Sequence, residues 1–322
     1  MSELLYLSRR DVEEVNLGMR EIIAALEAMF REKGLGRVEM PPKPGIHPLP
    51  DAFIHAMPAY IPALGSAGIK WVSGYPQNQA KGLPYISGLL VLNDPETGFP
   101  TAVMDCAWIT AMRTGAATAV AAKVLARPES ASAGILACGV QGRSNLEALA
   151  CVFEITQVRA FDTAPGVARR FADELGTELG IRIEVVESPR AAVEGMDIVV
   201  TSGPILKHPH PAIEAGWLKP GGFGSLVDFD SYWQGPALAE ADRIATDDIA
   251  QMGYYRSVGY FSQTPEPYSD LGEIVAGLMP GRASASERTL AINLGIALDD
   301  MAVAPLVLRR AREKGIGTLL PL

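Results

Sequence analysis

Ala133-Gly-Ile-Leu136-Ala-Cys-Gly139-Val-Gln-Gly142-Arg-Ser144, running on into Asn145-Leu-Glu-Ala-Leu149, is the stretch on which the fold turns. A short apolar run reads as a strand, glycines follow, and a helical pattern begins at once. That order suits a pyrophosphate. Glycine lets backbone approach the anion closely, and the first turn of the helix aims unpaired N–H groups at it. Gly139, Val140, Gln141 and Gly142 are therefore expected to bind a dinucleotide, although Ala137 stands where the pattern wants its first glycine. Asp162 closes the next apolar run about twenty residues beyond Gly142, the place from which a carboxylate hydrogen-bonds the adenine-ribose diol. Its charge would repel a 2′-phosphate, so the expected cofactor is NAD. Thr163 beside it and Thr201 at the end of a later run complete the expected cofactor set. The alternative for Asp162 is a cap on the helix that starts near Pro165, and Arg143 is equally a phosphate ligand or a solvated helix residue.

Around this unit strands and helices alternate. Apolar runs fall at Ala133 to Leu136, Val158 to Asp162, Ile181 to Val186, Ile198 to Thr201 and Phe223 to Val227. Such alternation predicts a parallel sheet covered on both faces. The chain before it reads differently. Ser8 with Asp11 is a capping-box pattern for a first helix. A second is expected from about Met19 to Lys33, where Ile22, Ile23, Leu26, Met29 and Phe30 share a face and Gly34 supplies the stop. Met40-Pro-Pro-Lys-Pro-Gly-Ile-His-Pro-Leu-Pro50 has too few backbone donors for a regular element and is expected as an ordered loop or an extended edge. Apolar, β-rich runs near Phe53 to Tyr60, Ile69 to Ser73, Tyr85 to Leu92 and Thr101 to Met104 follow, and turn residues from Asn93 to Gly98 predict antiparallel hairpins. Small residues from Ala107 to Ala126 predict a closely packed helix, and the tail from Thr289 to Lys314 reads as helical up to Gly315.

With 322 residues the chain exceeds one ordinary hydrophobic core, so two domains are expected. The net charge of −9 argues against a nucleic-acid or anionic-membrane surface, since both need a basic footprint. Met1-Ser-Glu-Leu-Leu carries neither a basic leader nor a long apolar run, and charge interrupts the apolar stretches, so a cytoplasmic protein is expected. Cys106, Cys138 and Cys151 have neither CxxC nor zinc-ribbon spacing and read as buried thiols.

Two cations sit in apolar surroundings, Lys70 in Gly68-Ile-Lys-Trp-Val-Ser-Gly-Tyr-Pro76 and Arg113 in Thr110-Ala-Met-Arg-Thr-Gly-Ala116. A buried charge is costly without an anion. Either a small substrate brings a carboxylate to them, or acids elsewhere in the chain do. Asp228, after the run Phe223 to Val227, falls at the carboxyl end of a parallel strand, where ligands meet open α/β sheets. The competing role for such a residue is a helix or turn cap.

At these residues the chain resembles the ornithine cyclodeaminase and mu-crystallin family nearly end to end. The likeness rests on Met57-Pro58, Lys70 to Pro76, Asp94 to Pro100, Thr110 to Thr114, Gly139-Val-Gln141, Asp228, Leu271-Gly-Glu-Ile274 and Gly295-Ile-Ala-Leu-Asp-Asp300. It implies an α/β fold with an NAD-binding Rossmann domain over residues 127–297 and a discontinuous α+β substrate and dimerisation domain, 1–126 and 298–322. It also implies a homodimer. By resemblance, Lys70, Arg113 and Lys43 hold a substrate carboxylate, His55 and Met57 border it, and Asp228, with Lys70, is the catalytic candidate beside the substrate amine. A guanidinium gripping both carboxylate oxygens, with ammonium charge beside it, is sound chemistry for that task.

Two departures bear on the reaction. Cyclodeaminases carry an acid two residues before the Met-Pro pair, suited to a distal ammonium, and this chain has His55. The acid-to-proline run after the catalytic aspartate is replaced by Asp228-Phe-Asp-Ser-Tyr-Trp233, so Tyr85, Tyr232 or Trp233 either reshapes the pocket or simply packs. The leading expectation is an NAD-dependent enzyme transferring hydride at the carbon–nitrogen bond of a small α-amino or α-imino acid. A cyclodeaminase that recycles NAD and a non-catalytic, crystallin-like NAD-binding protein are the alternatives. His208-Pro-His210 lacks further ligands at metal-site spacing, so no metal is expected. Asp247-Asp248 and Asp299-Asp300 read as solvated or capping acids.

Overall fold

The computed structural model describes residues 3–322. In chain order the first elements are β1 (Glu3–Leu7), α1 (Arg9–Glu14), α2 (Met19–Gly34), β2 (Gly45–Ile46), β3 (Phe53–Ile61), β4 (Ser66–Gly74), β5 (Ile86–Asn93), β6 (Pro100–Asp105) and α3 (Ala107–Leu125). There follow β7 (Ser132–Leu136), α4 (Val140–Val152), β8 (Gln157–Phe161), α5 (Pro165–Leu179), β9 (Arg182–Val185), α6 (Pro189–Val193), β10 (Ile198–Thr201) and β11 (Phe223–Leu226). The last are α7 (Gly235–Ala239), β12 (Arg243–Thr246), α8 (Ile249–Ser257), β13 (Ser269–Asp270), α9 (Leu271–Val275), β14 (Thr289–Ile292), α10 (Ala297–Lys314) and β15 (Thr318–Pro321).

These form two compact units, Met1–Arg113 with Ile296–Leu322, and Thr114–Gly295. The sequence reading places the divisions after residue 126 and before residue 298. The first boundary of the compact units instead falls inside α3, where the side-chain partners change. Arg113 pairs with acids of α10, whereas a Cβ on Gly115 would lie 2.2 Å from the Ser144 carbonyl oxygen of α4.

The first unit is built on a sheet in the order β15-β1-β6-β5-β4-β3-β2, with β3 to β6 an antiparallel meander. Strand period sets its two faces. Ser66, Gly68, Lys70 and Val72 of β4 share the face of Ile61, Ala59, Met57 and His55 of β3. On that face lies α10: Ser66 Oγ donates to the Met301 carbonyl oxygen at 2.7 Å, and Gly68 has no room for a side chain, since a Cβ would lie 2.2 Å from the Val91 carbonyl oxygen and 3.1 Å from Met301 Sδ. The opposite face exposes Trp71 and its cross-strand partner Leu89. The proline-rich segment supplies the edge strand β2, paired with β3. The capping box of α1 forms as expected, but α2 runs through Gly34, and the left-handed residue after it is Gly36 at φ +68°.

The second unit is an eight-stranded, wholly parallel sheet in the order β13-β12-β14-β11-β10-β7-β8-β9. From β7 the strands run outward in one direction and from β10 in the other, which makes the β7/β10 junction the switch point at which such sheets take ligands. Residues 289–292 are a correction. Thr289-Leu-Ala-Ile is not the start of a helix but the central strand β14, buried along its length between β11 and β12, and Gly295 at φ +75° turns the chain before α10 begins. A four-residue apolar run offers no periodicity with which to separate strand from helix.

Candidate active site

The glycine turn leaves β7 at its carboxyl end. Ala137 adopts φ +70°, a left-handed conformation that only glycine takes without cost. Gly139 caps α4 and has nothing within 4 Å of the place where a Cβ would lie, so open space stands in front of the helix N-terminus. Gly142 is required by contact, since a Cβ there would lie 2.4 Å from the Ala137 carbonyl oxygen. Val140 is exposed beside the turn and Gln141 half-buried. The cradle thus fits a pyrophosphate by shape and by its N–H groups.

Asp162 follows the end of β8 and does two things. Its Oδ2 accepts from the Cys138 backbone N–H at 2.9 Å, tying it to the glycine turn, and its Oδ1 accepts from Ala164 N–H at 2.8 Å, just ahead of α5. Asp162 does not cap α5, whose N-cap is Ala164 without a side-chain bond; it closes the turn ahead of the helix, and the two bonds fix the acid beside the cradle. Thr163 is exposed next to it. Arg143 pairs with Glu174 at 2.6 Å.

Asp228 lies beyond the carboxyl end of β11 and is wholly buried. Thr201 Oγ1 donates to its Oδ1 at 2.8 Å and Gly203 N–H to its Oδ2 at 3.2 Å. Trp233 Nε1 in turn donates to Thr201 Oγ1 at 3.3 Å. Burial raises the Asp228 carboxyl to about 7 against the pull of those bonds, so both protonation states are accessible near neutrality. Ser202 completes the line, donating from Oγ to the Ala137 carbonyl oxygen at 3.0 Å. Hydrogen bonds from Ser202 and Gly203, neighbours in the chain, thereby join the glycine turn to the acid at the carboxyl ends of β7, β10 and β11. Ser202 and Gly203 escaped the sequence reading, although they directly follow Thr201. Tyr232 lays its ring on Gly203, where a Cβ would meet it at 2.4 Å, while Trp233 is a core residue. Tyr85 contributes a backbone bond to Tyr75.

In the first unit, Lys70 and Arg113 are buried as expected, and the anions they meet are internal. Lys70 Nζ lies 2.7 Å from Asp300 Oδ2, Arg113 Nη1 lies 3.3 Å from Asp299 Oδ2, and Arg113 Nε lies 3.5 Å from Asp300 Oδ1. Asp299 and Asp300 are fully buried, which corrects their reading as solvated acids; Asp299 also caps, accepting from Ile296 N–H. The overlooked signal is their setting. Every residue from Ala297 to Ala304 is buried, and a helix apolar all round holds its acids only against buried cations. Burial lowers the affinity of Lys70 for its proton, and Asp300 opposes that effect.

Lys70 faces Met57 directly across the β3–β4 pair, and His55 lies on the same face. His55 stacks on Phe53 with ring centroids 4.4 Å apart, and burial, with Lys43, His47 and Lys70 nearby, pushes its imidazole down to about 3. It is a neutral group. Lys43 is half-buried. The first unit therefore brings Lys43, His55, Met57, Lys70 and Arg113 together, and the second brings together Gly139 to Gly142, Asp162, Thr201 and Asp228. His208 and His210 are exposed, and Asp247 is buried, accepting from Gly295 N–H, rather than solvated. Among the described residues no cluster of His, Cys, Asp and Glu has a metal-site arrangement, and no helix is long and apolar enough to cross a membrane.

An alanine dehydrogenase of Archaeoglobus fulgidus is 36% identical over 328 residues, covering 98% of each chain. The solved Thermococcus litoralis Δ(1)-pyrroline-2-carboxylate reductase, in complex with NADH and L-proline, is similar at TM-score 0.89 with 34% identity over 98% of this chain and 99% of that one. An archaeal alanine dehydrogenase dimer with bound NAD matches at TM-score 0.89 with 34% identity over the whole of both chains. The family model for ornithine cyclodeaminase/mu-crystallin matches residues 3–315, and the chain belongs to that family.

Proposed function

We propose that the chain is an NAD-dependent oxidoreductase that transfers hydride at the α-carbon–nitrogen bond of a small α-amino or α-imino acid, acting as amino-acid dehydrogenase or imine reductase according to direction. The observation that carries this reading is the pair of hydrogen bonds from Ser202 to Ala137 and from Gly203 to Asp228, which sets a carboxyl titrating near 7 at the same carboxyl ends of the strands as a dinucleotide cradle. Relatives that are an alanine dehydrogenase and a reductase solved with NADH and L-proline support it.

Each residue then has a task. Gly139, Val140, Gln141 and Gly142 receive the pyrophosphate, and Asp162 with Thr163 takes the adenine ribose. NAD, when bound, supplies the hydride acceptor. Asp228 holds the substrate ammonium and accepts one of its protons; the neutral amine left then pushes hydride from the α-carbon toward NAD, giving the iminium. Thr201 keeps the carboxyl oriented. Lys70, Arg113 and Lys43 hold the substrate carboxylate, with His55 and Met57 at its border. The substrate carboxylate joins cations that already have acids beside them, Asp300 against Lys70 and both acids against Arg113.

His55 favours this reading over a cyclodeaminase, because a neutral imidazole offers a distal ammonium no countercharge. A homodimer and a cytoplasmic setting belong to the same proposal. The Trp71 and Leu89 face of the first sheet is the apolar surface that a second copy would cover. Purified protein incubated with NAD and a panel of amino acids, with NADH and ammonia both followed, tests the function. Ammonia with stoichiometric NADH is expected. Ammonia from ornithine without NADH would establish the cyclodeaminase, and no turnover in either direction a binding protein.

A further inference from the structure

The buried acids of α10 have no part in the roles given above, yet they are the groups closest to the two cations. We propose that Asp300 is a positioning residue that fixes the Lys70 ammonium for the substrate carboxylate, with Asp299 doing the same for the Arg113 guanidinium. The proposal rests on the reading of Lys70 and Arg113 as carboxylate-binding groups.

Geometry carries it. Lys70 enters from the middle of β4 with 1% of its side chain exposed, so no solvent stabilises its charge. Its surroundings are few. From α10 comes Asp300 at 2.7 Å, with Asp299 beside it on Arg113, from α3 Arg113 and the Thr110 hydroxyl at 3.4 Å, from the residue before α3 the Cys106 thiol, and from β3 His55. Arg113 repels the ammonium. Burial pushes the Cys106 thiol up to about 11 and the His55 imidazole down to about 3, so both are neutral at physiological pH and neither replaces an acid. Asp300 is thus the group that opposes burial and Arg113 together. It also touches both cations, with Oδ2 toward Lys70 and Oδ1 toward Arg113 Nε, and so fixes the spacing of the two groups that must grip one carboxylate. Two formal cations beside two acids make the quartet neutral in the resting protein. A substrate carboxylate therefore meets preset donors rather than a surplus of charge, and orientation matters more than attraction.

The test is Asp300→Asn, read in two independent ways. In steady-state kinetics with an amino acid that the wild type oxidises, KM for that acid rises about 100-fold at pH 8.5, as is typical when one partner of a buried charge pair is removed. The deficit shrinks as pH is lowered, because burial without Asp300 weakens the hold of Lys70 on its proton, while KM for NAD stays within about twofold. A rise that is the same at every pH, an equal rise in KM for NAD, or no change overturns the proposal. The second reading uses no substrate. Unfolding constants are compared for wild type, Asp300→Asn, Lys70→Met and the double variant. Coupling of at least about tenfold supports the pairing, and multiplicative effects overturn it. Where Asp300→Asn alone does not fold, recovery of folding in the double variant supports the pairing, and failure of both overturns it. A wild type that turns over no amino or imino acid removes the functional reading, and the unfolding cycle then decides the pairing by itself.

Discussion

Asp228→Asn separates a buried proton-transfer group from a structural cap, because the two roles predict opposite dependence of stability on pH. The carboxyl is raised from the ordinary 3.8 to about 7 in the folded protein, chiefly by burial. Between those values the folded state holds a proton that the unfolded state has lost. Stability is therefore highest at low pH and falls as pH rises through the window, with the full loss reached above 7. From pH 5 to pH 9 the slope acts over about two pH units, at about 1.4 kcal/mol each, and removes about 3 kcal/mol from the wild type. Asparagine never ionises and escapes that loss. It has its own cost of about 1 kcal/mol, because Thr201 Oγ1 and Gly203 N–H both donate toward the carboxyl and the new amide nitrogen must face one of them. The wild type has already lost about 1.6 kcal/mol by pH 5, so the variant should be about equal in stability there and clearly the more stable at pH 9. Urea unfolding of both proteins at pH 5, 7 and 9, in parallel, cancels the titration of every other group. Turnover should vanish while NAD still quenches intrinsic fluorescence. A stability difference that stays constant across pH would refute the buried-carboxyl argument, and loss of NAD binding would show that Asp228 shapes the cradle instead.

The same carboxyl predicts the pH-rate profile. In the direction of amine oxidation kcat/KM should rise with pH through a midpoint near 7 as Asp228 becomes the base, and a profile flat from pH 5 to 9 would exclude it from proton transfer. Ala137→Gly relieves a left-handed alanine and should stabilise the protein by about 0.5 to 1 kcal/mol in thermal unfolding, net of the extra entropy of the unfolded chain; a lower melting temperature would show that the turn tolerates Ala137 without strain. Asp162→Ser removes the charge proposed above to face the ribose, and on that proposal should bring the kcat/KM ratio for NAD over NADP down by tenfold or more. An unchanged ratio would leave Asp162 as the residue that closes the Ala164 turn alone.

What was legible in the chain was whatever local chemistry dictates, and what was not was whatever the partner dictates. Gly139 and Gly142 could be read because a helix N-terminus facing an anion needs them on steric grounds, and the structure adds the carbonyl of Ala137 as the atom that forbids a side chain at Gly142. The strands β3 to β6 could be read because alternating faces and the Asn93 to Gly98 turn are local signals. β14 could not, since all four of its residues are buried by neighbouring strands brought from elsewhere, and no alternation survives in the sequence. The acids of α10 fall between the two cases. Asp299-Asp300 looked solvated when weighed by residue type, but Ala297 to Ala304 has no polar face on which a solvated acid could sit. The two cations were read from the sequence as buried, and once the acid pair is seen to lie in an all-buried helix turn, desolvation cost favours their meeting. Matching buried charges of opposite sign across a chain is thus a stronger inference than assigning each of them to an absent ligand, and here it leads to Asp300 as the residue through which the substrate grip is set.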